Sequence, residues 1–132
     1  MNLKLSIIIV NYNVTQLLRN CLHSIEKYAE DVDYEVIVID NKSTDNSWSD
    51  LISEFPKVHF IASEKNDGFA IANNKAIKTA KGEYLLILNP DTELEGFYLN
   101  EILNFADSKT DFGCLGVRMH DANGNFLPES KR

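Results

Sequence analysis

The chain is poor in the residues that mark several protein classes. Only two cysteines occur in 132 residues, with three prolines, six glycines and one tryptophan. Two cysteines make no disulfide framework. Cys21 falls in a helical pattern and Cys114 in an apolar, strand-like one, so both are expected as buried thiols in a reducing compartment. Basic residues are also scarce, thirteen against twenty acidic, for a formal charge of -7. That excludes sequence-independent nucleic-acid binding, which needs a basic surface to displace counterions. No apolar run nears the roughly 20 residues of a membrane-spanning helix. Met1 to Val10 carries one lysine and a short apolar run, without a small-residue cleavage site, so a cytoplasmic protein is expected.

Glycine-rich phosphate loops are missing as well. No Gly-x-Gly-x-x-Gly follows the first apolar run, and no Gly-x-x-x-x-Gly-Lys-Ser/Thr occurs. His23, His59 and His120 have no zinc-like spacing with cysteine or with one another. If a nucleotide binds, a carboxylate-held divalent metal is the other common way to hold its diphosphate.

What is present is a repeated strand-then-helix rhythm. Leu5 to Val10 is a continuous β-branched run, as in a strand buried on both faces. Leu17, Leu18, Cys21, Leu22 and Ile25 recur at helical spacing, with Asn13 or Thr15 as N-cap. Glu35 to Ile39 predicts a second strand, and Trp48, Leu51, Ile52 and Phe55 face a second helix closed by Pro56. Val58 to Ala62 predicts a third strand, Phe69 to Thr79 a helix ended by Gly82, and Tyr84 to Leu88 a fourth strand. Gly96 to Ala106 reads as a helix, Cys114 to Met119 as a strand, and Asp121 to Gly124 as a hairpin turn. Such alternation implies right-handed βαβ units: an α/β fold with a mostly parallel sheet and helices on both faces. Pro128 to Arg132 is polar and offers no closing element, so the fold is expected to be truncated.

Open α/β sheets bind ligands beyond the carboxyl ends of their strands. The polar clusters fall at those ends: Asn11-Tyr12-Asn13, Asp40-Asn41, Ser63 to Gly68, and Asn89-Pro90-Asp91. Each has an ordinary explanation. Asp40 can cap a turn, Tyr12 can be a packed aromatic, and Pro90-Asp91 can start a turn. Asn73-Asn74 inside a helix needs a reason, because asparagine is a weak helix former. Taken together, four clusters at one sheet edge point to a binding crevice.

Four segments in order resemble the family 2 glycosyltransferases: Ser6 to Asn13, Val36 to Asp45, Asn66 to Ile77, and Gly82 to Asp91. Gly116 to Met119 with Asn123-Gly124 looks like the rhamnosyltransferase-type branch that builds cell-surface polysaccharides. The resemblance implies a glycosyltransferase A-type, Rossmann-like fold, with residues 1–132 as the nucleotide-sugar-binding portion and the acceptor-binding portion absent. It implies a metal-dependent inverting transferase moving sugar from a UDP- or dTDP-sugar to a glycan or lipid-linked acceptor. By resemblance, Val10 and Tyr12 line the base pocket, and Asp40 accepts a hydrogen bond from the base N–H. Asn66, Gly68 and Asn74 lie beside ribose and diphosphate. Asp91 is the ligand of Mn²⁺ or Mg²⁺, and Asn89 stands where the family's metal motif has its first Asp. The catalytic base is expected beyond Arg132, leaving this segment inactive alone. Peripheral association with the inner membrane face and self-association through an exposed apolar patch complete the expectation. The alternatives are a non-catalytic nucleotide- or carbohydrate-binding module and a sugar nucleotidyltransferase; the latter would open with a Gly-rich, Arg-containing loop where Asn-Tyr-Asn stands.

Overall fold

The computed structural model describes residues 3–128. Its centre is β1 (Leu5–Asn11), in which every residue is buried. β2 (Tyr34–Asp40) and β4 (Tyr84–Leu88) flank β1, and β3 (His59–Ala62) adds beyond β2, giving a four-stranded sheet of order β3-β2-β1-β4. All three pairings are parallel, in the registers Ile8↔Ile37, Ile8↔Ile87 and Val38↔Phe60 among others. β-branched residues buried on both faces suit such a strand, and each fully buried Ile is worth roughly 1.5–3 kcal/mol.

The chain walks from β1 to β3 in one direction and then crosses back to β4. Right-handed crossovers therefore put α1 (Thr15–Tyr28) and α2 (Asp50–Glu54) on one face and α3 (Gly68–Ile77) on the other. Side chains alternate along a strand. Ile8, Val10, Ile37 and Ile39 form one core with Ala72 and Ala76 of α3, while Ile7 and Ile9 point to the opposite face. α1 buries Leu18, Cys21, Leu22 and Ile25, and Glu54 ties α2 to it by accepting from Arg19 Nε at 2.8 Å. The expected α/β architecture, with helices on both faces, is what the chain forms. No helix among the described residues is long and apolar enough to cross a membrane.

Several element ends differ from expectation for identifiable reasons. The first helix has Val14 at its N-cap position, without a side-chain cap. Asn13 instead accepts from Thr44 N at 2.8 Å, and Thr15 Oγ1 accepts from Ser47 Oγ at 2.9 Å, so both predicted caps are spent on the loop after β2. β3 starts at His59 rather than Val58. The predicted helix from Gly96 begins only at Leu99, as α4 (Leu99–Asp107), because Gly96 has φ +85°, outside any right-handed helix. α3 stops at Ile77, well before Gly82.

Two compact units divide the chain, one through Asn100 and one from Glu101. In the second, the expected strand from Cys114 to Met119 does not form; a single antiparallel bridge joins His120 to Phe126 across the predicted turn. That turn is real: Asp121 Oδ1 accepts from the N–H of Asn123 and of Asn125, both at 2.9 Å. A strand needs a ladder, and Leu115, Val117 and Met119 remain exposed without one. Cys114 is exposed too, so only Cys21 is the buried thiol expected of both. Pro128 lies at the edge of the described residues, and the rest of the polar end, Glu129 to Arg132, lies outside them.

Gly82 closes no helix; it lets the chain pass against the start of β1. A Cβ there would lie 2.4 Å from Ser6 N, while Gly82 N donates to Ser6 Oγ at 2.8 Å. Backbone cannot yield as a side chain can. Gly82→Ala is expected to destabilise the fold by about 1–3 kcal/mol, read as a lower urea midpoint. An unchanged midpoint would show that the approach is not tight.

Candidate nucleotide-binding cleft

The loops that follow β1, β2 and β3 at the carboxyl edge of the sheet are tied in series. Asn11 Nδ2 donates to Asp40 Oδ1 at 2.9 Å, joining the last residues of β1 and β2. Asp40 also accepts from Ser43 N at 2.9 Å and from Ser43 Oγ at 2.6 Å. Lys42 has φ +66° and Asn13 φ +55°, so both loops turn sharply as they leave the sheet. One residue on, Asn41 reaches the other way. Its Nδ2 donates to Asn66 Oδ1 at 2.8 Å and to Gly68 O at 3.3 Å, and its Oδ1 accepts from Asp67 N at 3.1 Å. The start of α3 is thereby pinned to the end of β2.

These loops frame an open cleft of about 290 Å³, lined by Val10, Tyr12, Val14, Asn41, Asn66, Gly68, Phe69 and Pro90. It spans the carboxyl ends of β1, β2 and β4 and the entry to α3, and so includes the point where the order of connection reverses, which is where open α/β sheets bind ligands. Tyr12 offers a ring that is 43% exposed, and Phe69 one that is 56% exposed. Gly68 holds φ +77° with no atom within 4 Å of an added Cβ, so conformation rather than space calls for glycine. Beside it, hydrogen bonds from Lys75 and then Lys65 hold the Asp67 carboxyl below its ordinary range. A second hollow, about 480 Å³, is lined by Gly116, Val117, Arg118 and Phe126 in the other unit. Although larger, it brings together one charged side chain, and the Arg118 guanidinium already lies 5.1 Å from the Phe126 ring centre.

The sequence-predicted residues divide accordingly. Val10, Tyr12, Asn66 and Gly68 converge on the cleft. Asn74 is exposed on α3 and lies outside that lining, while its neighbour Asn73 is the buried one, donating to Phe69 O at 2.9 Å. Asp40 is also outside it, for a geometric reason. Val10 and Ile39 face α3, so the next residues, Asn11 and Asp40, face the opposite side of the sheet. Asp40 and Asn41 are both 3% exposed, but Asp40 accepts from Ser43 in the turn whereas Asn41 borders the cleft. The cleft instead receives Asn41, which the sequence places in a polar cluster without a role of its own, together with Val14 and Phe69, which no cluster includes. Carrying strand alternation one residue past Asp40 would have found Asn41.

Asn89 and Asp91 are exposed on either side of Pro90. Their segment is a turn, since Thr92 N and Thr92 Oγ1 both donate to Asn89 O, at 3.2 and 2.6 Å. Asp91 nevertheless projects charge inward: burial first, then Glu93 and Asp91, push the Cys21 thiol up to about 12.

Residues 6–132 match the family described as Glycosyl transferase family 2. The chain belongs to that family. Among its relatives is a poly(ribitol-phosphate) beta-glucosyltransferase of Bacillus spizizenii, 35% identical over 97% of this chain and 21% of that protein. The putative teichuronic acid biosynthesis glycosyltransferase TuaG of Bacillus subtilis is 30% identical over 92% of this chain and 50% of its own length. Among solved structures, S. aureus TarS 1–349 in complex with UDP superposes with TM-score 0.68 at 26% identity, covering 80% of this chain and 32% of that one. The glycosyltransferase A-type fold expected of the family is therefore present. The chain spans between about a fifth and a half of the length of these relatives.

Cys21 and Cys114 give this geometry a direct check. At pH 8, Ellman's reagent should modify Cys114 rapidly and Cys21 only after unfolding. Because the fold raises Cys21 from 9.0 to about 12, the stability it contributes is complete below pH 9 and lost as pH climbs toward 12. Two equally fast thiols would contradict the packing of α1.

Proposed function

We propose that the cleft holds the nucleoside diphosphate of a sugar donor, and that residues 1–132 are the donor-binding portion of an inverting glycosyltransferase building cell-surface polymers. The observation that carries this reading is the convergence of exposed aromatic rings and amide groups where the strand order reverses, in a family member whose structural relative was solved with UDP.

Each part of the donor has a fitting surface. A pyrimidine ring stacks on Tyr12 against Val10 and Val14. Asn41 accepts from the base N–H in place of Asp40, whose oxygens are engaged by Asn11 and Ser43. The amino end of α3, entered through Asn66 and Gly68, favours the diphosphate, since a helix N-terminus presents N–H groups and a positive partial charge. Asn74 then sits on the same helix toward the sugar.

A divalent cation fits the remaining residues in one respect. Among the described residues no three His, Cys, Asp or Glu side chains converge as a cage. Asp91 is an exposed carboxylate two residues from Asn89, and Mg²⁺ or Mn²⁺ often takes one or two carboxylates and fills its shell with water and substrate phosphate oxygens. When bound, it neutralises charge on the departing diphosphate. Transfer also requires a base to take the acceptor hydroxyl's proton as that oxygen attacks the anomeric carbon. We assign the base to the acceptor-binding portion, so residues 1–132 bind donor without transferring sugar to a glycan or lipid-linked acceptor. The latter would sit at the cytoplasmic face of a membrane.

Calorimetry with UDP, dTDP, GDP and ADP, each with Mg²⁺, tests the assignment. The pyrimidine nucleotides should bind at least about tenfold tighter, a difference of ~1.4 kcal/mol. Asp91→Ala should remove the metal-dependent part of that affinity and leave the unfolding midpoint unchanged. Equal binding of all four nucleotides would remove base recognition from the cleft, and an unaltered metal dependence would move the cation elsewhere. Sugar transfer by residues 1–132 alone would place the base within this segment.

A further inference from the structure

An asparagine is an ambiguous reader of a base, because its carboxamide can present either a donor or an acceptor. Asn41 has lost that ambiguity. Asp67 N–H is a backbone donor and must meet Asn41 Oδ1, at 3.1 Å. Gly68 O is a backbone acceptor and must meet Asn41 Nδ2, at 3.3 Å. Asn66 is itself oriented by a backbone group, since Gly68 N donates to its Oδ1 at 2.9 Å, and that same oxygen takes the 2.8 Å bond from Asn41 Nδ2. Turning the Asn41 amide over would set N–H against N–H and oxygen against oxygen at all three contacts. Its nitrogen, with two hydrogens, is committed to two acceptors. Its oxygen has two lone pairs and one partner. The unspent capacity of Asn41 is therefore to accept.

We infer that the Asn66–Gly68 turn locks Asn41 as an obligate hydrogen-bond acceptor, making Asn66 a positioning residue that selects bases with a ring N–H over cytosine. This rests on the nucleotide-binding reading of the cleft and extends it to a discrimination between two pyrimidines. Uracil and thymine carry a hydrogen on the ring nitrogen between their carbonyls, which an acceptor satisfies. Cytosine has a bare acceptor nitrogen there, and two facing acceptors repel. Stacking on Tyr12 is available to all three bases, so it does not separate them.

Titration calorimetry of UDP and CDP with Mg²⁺ on the unaltered chain, Asn66→Ala and Asn66→Asp tests the lock. Asn66 is exposed, and circular dichroism checks that each variant folds. The unaltered chain should prefer UDP by about tenfold or more, the effect of leaving one polar group unmatched. Asn66→Ala removes an acceptor that orients Asn41 and should shrink that ratio severalfold toward one, chiefly by improving CDP relative to UDP. Asn66→Asp keeps an acceptor oxygen there and should preserve the preference. If Asn66→Ala weakens both nucleotides by the same factor, Asn66 only supports the loop and the lock is wrong. UDP binding without discrimination from CDP in the unaltered chain would also overturn the lock, while leaving the cleft a nucleotide site. Failure of the unaltered chain to bind either nucleotide would overturn the reading of the cleft and the lock together.

Discussion

The hydrogen bond from Asn11 to Asp40 at the carboxyl ends of two adjacent strands is the constraint on which the rest of the binding edge depends. Parallel strands that end together leave backbone and side-chain polar groups facing one edge, and burial makes each unpaired group costly. Asp40 pairs its own oxygens with neutral donors from Asn11 and Ser43, and the turn it closes carries Asn41, which reaches toward α3. Asn41 in turn fixes the entry to α3. Remove the carboxylate, and the loops that make the cleft lose their common anchor.

Strand alternation then separates two tasks that lie side by side in the sequence. Asp40 faces the side covered by α1 and α2, where it bonds to Asn11 and Ser43. Asn41 faces the side of α3, where the cleft opens. The same division separates Asn11 from Val10 and Tyr12. A buried, hydrogen-bonded polar layer on one face thus backs an open surface on the other. The exposed rings of Tyr12 and Phe69 can remain without partners because the loops that carry them are held from behind.

Much of this was legible without coordinates. The β-branched runs from Leu5 and Glu35 specify buried parallel strands, and the polar clusters at their ends locate the crevice. Legibility failed where a residue's role depends on what lies across the fold. Gly82 looks like a helix terminator, yet its reason is the backbone of Ser6, far away in sequence. Asn13 and Thr15 look like caps, yet loop-to-loop bonds claim them. Cys114 to Met119 has strand-like composition, but composition cannot supply a pairing partner. Asp40 carries a base-reading role by resemblance, and only the fold shows its carboxylate bonded into the turn with Ser43 and outside the cleft lining.

The central claim is that the cleft at the carboxyl ends of β1, β2 and β4, rather than the larger hollow in the second unit, receives the nucleotide. Amide chemical-shift perturbation on titrating UDP with Mg²⁺ into ¹⁵N-labelled chain tests this most directly. The predicted shifts cluster at Val10 to Val14, Asn41, Asn66 to Phe69 and Asp91, with Gly116 to Phe126 unmoved. Perturbation concentrated at Gly116 to Phe126, with Tyr12 and Asn41 silent, would contradict it.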